Sequence, residues 1–262
     1  MFPAVPYSRY IIGRLPWYSV LIITGILLAL LLCSREEKRL GLKPDTVIDL
    51  AFWVIPFGII GARLYYVAFT WENFSLDPLS ILRIWEGGLA IYGGIIGGGL
   101  GAILFSIRRR ISPLMLADMV VPGLALAQCV GRWGNYFNME AYGAEIINPA
   151  WQFFPIGVLI PEHGVYIWHM ATFFYESVWD FVIFAVLWFV IRKHSTRHGT
   201  VSLWYMLLYG VGRFIIEGFR TDSLMSGSVR ISQMLSLALV LSASSVLLFR
   251  LFGRKKIQKE GR

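Results

Sequence analysis

The chain has 262 residues, of which 56% are apolar and 15% charged, and a formal net charge of +8. A soluble domain carries roughly 25% charged residues, and no single core of this size hides so much apolar side chain, so a soluble nucleic-acid binder, a disordered chain, a coiled coil and a collagen-like fibre are excluded. What remains is an all-α polytopic membrane protein, one integral membrane domain over residues 1–262, with its positive charge serving as topology signal and as affinity for membrane lipids with anionic heads.

Seven stretches are long and apolar enough to cross a bilayer, which takes roughly 20 residues: 17–33, 47–69, 88–107, 113–130, 172–191, 200–219 and 231–249. Sixteen of the 24 Lys and Arg residues, including every lysine, fall in the first, third and fifth connections and the C-terminal tail. By the positive-inside rule those segments are cytoplasmic, which predicts an external N-terminus and a cytoplasmic C-terminus. The connection over 131–171 is then external. Its prolines and its aromatics Trp151, Phe153 and Phe154 suit an ordered element at the membrane interface. Cys33 and Cys129 lie in apolar runs and suggest neither a disulfide framework nor a metal site.

The eight remaining basic residues are all arginine: Arg9, Arg14, Arg63, Arg83, Arg132, Arg213, Arg220 and Arg230. An arginine deep in a span costs at least about 2.5–3.5 kcal/mol on insertion scales. A carboxylate or a bound anion must offset that cost, and a planar, permanently charged fork suits phosphate. In chain order, Tyr18 begins the first span and Arg63 sits inside the second. The third opens with two Gly-Gly pairs around Tyr92, which suggest backbone that leaves helical geometry or approaches a ligand. The glycines further on recur every four residues and predict close helix packing.

The densest polar cluster, GRWGNYFNMEAYG over 131–143, begins where the fourth span is expected to end and reads as a loop. It brings Arg132, Asn135, Asn138 and Glu140 into nine residues framed by Gly131, Gly134 and Gly143. Glu176 and Asp180 form an i, i+4 acidic pair in the fifth span, suited to pairing with intramembrane arginines. Arg213, Glu217 and Arg220 fall at i, i+4 and i+7 on one face of the sixth, where Glu217 can aim the arginines and leave net positive charge for an anion. The four histidines have no metal-ligand spacing. No phosphate loop, serine elbow or activated cysteine is present, so no metal or cofactor is expected and any nucleophile comes from a substrate. These residues describe an arginine-lined site for an anionic lipid. They leave open an enzyme, an anionic-lipid transporter and a lipid-binding assembly factor.

The cluster over 131–143 resembles the signature of bacterial phosphatidylglycerol–prolipoprotein diacylglyceryl transferases, with Tyr136 where Phe is usual. GARLYY in the second span, WEGGLAIYGG before and within the third, Tyr175-Glu176 and YGVGRFIIEGFR in the sixth resemble the same family, in order. The resemblance implies transfer of the diacylglyceryl group of phosphatidylglycerol to the lipobox cysteine of preproteins in the bacterial cytoplasmic (inner) membrane. The products are a thioether and glycerol phosphate, and no nucleic acid is involved. It implies a catalytic set of Arg132, Arg213, Glu217 and Tyr92. The lipid-binding set is Arg132, Arg213, Asn135, Asn138, Glu140, Gly143, Tyr18, Arg63 and Glu176. Arg132 and Arg213 face the phosphate, Glu217 orients Arg213, and Asn135, Asn138 and Glu140 order the signature loop. Some members carry His where this chain has Tyr92. Tyrosine, with an ordinary pKa near 10, is a poor base at neutral pH, so Tyr92 is held as a site residue without being assigned proton abstraction.

Overall fold

The computed structural model describes residues 8–13, 15–221, 223, 225–226 and 229–260; Arg14 and Arg262 lie outside them. Seven long helices run through the described residues: α1 Trp17–Arg39, α2 Thr46–Phe69, α3 Ile91–Arg109, α4 Pro113–Asn138, α5 Thr172–His194, α6 Thr200–Glu217 and α7 Ile231–Glu260. Within α5, Val186–Ile191 adopts a π-helical turn. All but α6 are long and apolar enough to cross a membrane, which makes this a multi-pass membrane protein. Helices are the expected solution, since each satisfies its own backbone in lipid.

Two expected boundaries shift, each for a local reason. Gly87 and Gly88 adopt φ of 94° and 74°, so the expected third span opens as non-helical backbone and α3 begins only at Ile91. The first glycine pair therefore leaves helical geometry, whereas Gly93 and Gly94 lie inside α3. The expected loop at 131–138 is instead the last two turns of α4. The helix persists through this polar stretch because Trp133, Tyr136 and Phe137 join an apolar cluster with Ala141, Val158, Ile160, Ala171 and Phe173.

The chain is not wholly helical. Short antiparallel hairpins pair β1 Tyr10–Ile12 with β2 Leu15–Pro16, β3 Gly157–Glu162 with β4 Val165–Met170, and β5 Met225–Ser226 with β6 Val229–Arg230. The β3–β4 hairpin runs in register from Gly157 opposite Met170 to Glu162 opposite Val165. Its residues Val158 and Ile160 supply the floor on which the end of α4 rests.

The residues form two compact units, one from the N-terminal segment through Leu32 together with Val120 onward, the other Cys33–Met119. In the first, α1 and α4 approach closely at two points, Gly25 against Ala127 and Gly123 against Ala29. Leu32, Val121 and Ala125 join Ile183, Leu187 and Val201 in the core of this unit. In the second, α2 and α3 meet along a seam of glycines. A Cβ at Gly101 would lie 2.8 Å from the Trp53 carbonyl, and Gly93 and Gly97 abut the Gly61 and Phe57 carbonyls more closely still. The four-residue glycine period is thus a packing device that brings two backbones into contact without side chains between them.

Candidate active site

Three helices of the first unit bring their charged residues to one point. The end of α4 carries Arg132, the first turns of α5 carry Glu176 and Asp180, and the end of α6 carries Arg213 and Glu217. Close approach is possible because Gly212 leaves room on α6 for the Trp179 indole of α5, whose Nε1 donates to the Leu208 carbonyl at 3.0 Å. Ser177 Oγ donates to the Cys129 carbonyl at 2.9 Å and ties α5 to α4 beside the site.

Glu176 is the hub. Its Oε2 lies 2.7 Å from Arg132 Nη1, its Oε1 contacts Arg213 Nη1, and Arg220 Nη1 stands 3.5 Å from the same Oε1. Glu217 Oε2 is 2.7 Å from Arg213 Nη2, so two carboxylates grip the Arg213 fork from two sides. Asp180 Oδ2 is 3.8 Å from Arg132 Nε. The side chains of Arg132, Arg213 and Arg220 keep 20%, 17% and 12% of their surface open, against 4% for Glu176 and 1% for Glu217. The carboxylates are therefore more deeply buried than the arginines, and Arg132 and Arg213 line a narrow cleft together with Glu176, Asp180, Tyr209 and Ile216.

This geometry revises the expected charge balance. Asp180 joins the cluster, so Arg132, Arg213 and Arg220 face three carboxylates and the set is formally even. Arg230, on β6, donates from Nη1 to the Glu217 carbonyl and restores one positive charge. Arg220 also departs from the expected helix face. The helix ends at Glu217, and Arg220 is placed by a strand-like bridge between its backbone and Gly143. That bridge explains the glycine: a Cβ at Gly143 would come within 2.7 Å of the Phe219 carbonyl and 2.9 Å of Met170 Cβ.

The rest of the signature is tied together locally. Glu140 Oε1 accepts from Asn135 Nδ2 at 2.9 Å and from Asn138 Nδ2 at 3.2 Å, while its own N–H donates to the Asn135 carbonyl at 3.0 Å. Arg9 Nε donates to Asn138 Oδ1 at 3.0 Å, linking the N-terminal hairpin to the end of α4. Tyr18, in the first turn of α1, lies where a Cβ on Gly134 would meet its ring at 2.6 Å. His169 supports Gly143 from β4: its Nδ1 lies 2.9 Å from the Gly143 carbonyl and its Nε2 3.2 Å from Glu162 Oε1. Nothing in the sequence signals the contact to Gly143, which is 26 residues away.

Two expected site residues lie in the other unit. Arg63 is buried, and its guanidinium donates to the Ser80, Ile81, Arg83, Gly87 and Gly88 carbonyls at 2.7–3.5 Å. That engages all five of its N–H donors, and Phe74 lies under its face at 4.9 Å. Arg63 thus holds the connection between α2 and α3. Tyr92 occupies the first turn of α3, 37% exposed, with its ring 6.4 Å from that of Tyr65.

A buried carboxylate hub joining three partly exposed arginines, in a protein with six helices long and apolar enough to cross a membrane, marks an integral-membrane protein with a concentrated polar site. The family model for prolipoprotein diacylglyceryl transferase matches residues 9–249, and the chain belongs to that family. It is 44% identical over 238 residues to the phosphatidylglycerol–prolipoprotein diacylglyceryl transferase of Limosilactobacillus reuteri (strain DSM 20016), covering 89% of this chain and 86% of that one. To proteins of the same name it is 41% identical in Streptococcus agalactiae serotype Ia (89% and 91% covered) and 42% identical in Bacillus cereus strain G9842 (94% and 90% covered).

Proposed function

We propose that the cluster around Glu176 is where this diacylglyceryl transferase grips the phosphate of phosphatidylglycerol, and that Arg132 and Arg213 stabilise glycerol phosphate as it departs. In the reaction a thiolate of the lipobox cysteine forms a C–S bond to the terminal glyceryl carbon of the diacylglyceryl group. The bond from that carbon to the phosphate oxygen breaks, and its electron pair leaves with glycerol phosphate. Negative charge grows on the leaving oxygens, and donors fixed in advance act most strongly at that moment. The observation that carries this reading is the asymmetry of the cluster, in which the side chains of Arg132 and Arg213 keep 20% and 17% of their surface exposed while Glu176 and Glu217 are almost wholly buried.

Glu217 is a positioning residue that holds the Arg213 fork, and Glu176 holds Arg132, Arg213 and Arg220 together. Asn135, Asn138, Glu140, Gly143 and Tyr18 keep the end of α4 in place. Arg63 acts by shaping the connection before α3, since carbonyls engage its donors. Tyr92 is a site residue without proton abstraction assigned to it. Seven spans with the N-terminus outside the cytoplasmic membrane suit the charge distribution. Transfer from radiolabelled phosphatidylglycerol to a lipobox peptide by the reconstituted protein tests the reading. Label should reach the peptide with wild type and fail to with Arg132→Ala and Arg213→Ala. Undiminished transfer by both variants would refute it.

A further inference from the structure

At the end of α6 remote from Arg213, an open cleft of roughly 560 Å³ lies against Thr200, the first residue of that helix. A neighbouring hollow of about 370 Å³ shares His194, Ser195, Thr200 and Trp204 with it and extends along Val190 and Ile191. Thirteen residues of helix separate Thr200 from Arg213, about 20 Å at 1.5 Å per residue. The cleft is thus distinct from the cluster around Glu176.

The walls are of two kinds. Trp204 from α6 and Leu247 and Leu251 from α7 are apolar, and Arg197 and Arg250 are basic. Arg250 donates from Nη1 to Thr200 Oγ1 at 3.0 Å and from Nη2 to the His198 carbonyl at 3.3 Å, which fixes it at the junction of the two helices. Arg197 is exposed and forms no ion pair among the described residues. The sequence holds no carboxylate from Phe181 to Ile216 or from Ile231 to Lys259. The stretches of α5, α6 and α7 that flank the cleft thus carry no carboxylate, unlike the helix segments around Glu176. The N-terminus of α6 adds its dipole, which favours an anion at the same place.

We infer that this cleft binds the phosphate headgroup of an anionic phospholipid, with Arg197 and Arg250 on the phosphate and an acyl chain along Trp204, Leu247 and Leu251. Free phosphate would satisfy the arginines and leave the apolar wall wet. A lipid satisfies both, with its headgroup where Arg250 joins α6 to α7. Basic pockets between membrane helices are a recurring solution for acidic headgroups.

Native mass spectrometry of the delipidated full-length protein tests this, with dioleoyl phosphatidic acid as the probe and dioleoyl phosphatidylcholine and inorganic phosphate as the comparison arms. A phosphatidic acid carrying a photoreactive acyl chain locates the site. Wild type should retain phosphatidic acid over phosphatidylcholine and crosslink to the peptide containing Leu247 and Leu251. Arg197→Gln should weaken retention about tenfold, the loss of one charge-assisted bond, with diacylglyceryl transfer unchanged. Arg197→Gln/Arg250→Gln should abolish the crosslink. Because Arg250 also holds Thr200, the single Arg197 variant decides if the double variant is unstable. Equal retention by wild type and Arg197→Gln, equal binding of phosphatidylcholine, or displacement of the lipid by inorganic phosphate would each overturn the proposal.

Discussion

Replacing Arg132 by lysine separates the shape of the guanidinium from its charge. Arg132 gives Nη1 to Glu176 at 2.7 Å and turns Nε toward Asp180 at 3.8 Å. Only a planar fork can hold a carboxylate with one nitrogen and offer further N–H groups in the same plane to a phosphate. A lysine ammonium keeps the charge but radiates its three donors from one nitrogen, so it cannot present two parallel N–H groups to a phosphate while holding Glu176. Glu176 keeps Arg213 and Arg220 in the variant, so the helices stay joined and the protein remains folded. The loss is one charge-assisted hydrogen bond, about 1.5–3 kcal/mol. Confined to the transition state, it slows transfer by roughly ten- to 150-fold. The assay is single-turnover transfer in nanodiscs, with phosphatidylglycerol binding followed separately. Slow transfer with normal binding places Arg132 at the departing phosphate. A Lys variant within about twofold of wild type would show that generic positive charge suffices and refute the argument.

Glu217→Gln removes one of the two carboxylates gripping Arg213 while Glu176 remains. A moderate fall in thermal stability and a loss of kcat with KM for phosphatidylglycerol little changed are expected; full activity would end the positioning role. Gly143→Ala forces a Cβ against the Phe219 carbonyl and should cost about 1–3 kcal/mol of stability and most of the activity, because the bridge to Arg220 opens. An unchanged melting temperature and rate would show that the bridge tolerates a side chain. For topology, an impermeant thiol reagent applied to intact cells should label a cysteine introduced at Pro149 and miss one at Arg108, after Cys33 and Cys129 are replaced. The reverse pattern would invert the orientation.

Helical spans were legible because apolar runs and their flanking charges are local properties. So was the Glu176–Asp180 pair as a partner for arginines, since i, i+4 spacing on an apolar helix leaves two acids nowhere else to go. The end of α4 was misjudged because polar residues at 131–138 resemble a loop. Their helix depends on Val158 and Ile160, on a hairpin more than twenty residues away. Arg63 was legible as costly and illegible in its use, because its acceptors are backbone carbonyls that carry no side-chain signal. Arg220 required tertiary structure for the same reason: it is placed by a bridge to Gly143 rather than by helix periodicity.

The hub at Glu176 also has a bearing on how the protein is made. α6 alone falls short of the apolarity of the other long helices, since Arg213 and Glu217 dilute it. Chain order brings α4 and α5 into the bilayer first. Glu176 and Asp180 then wait beside Arg132, and α6 arrives with Arg213 as the missing counterpart. The same contact that orders the cluster offsets the cost of burying the charges of α6, so replacing Glu176 by an apolar residue should lower the yield of correctly inserted protein. A carboxylate that joins three helices would then also bear on how a later segment of its own chain enters the bilayer.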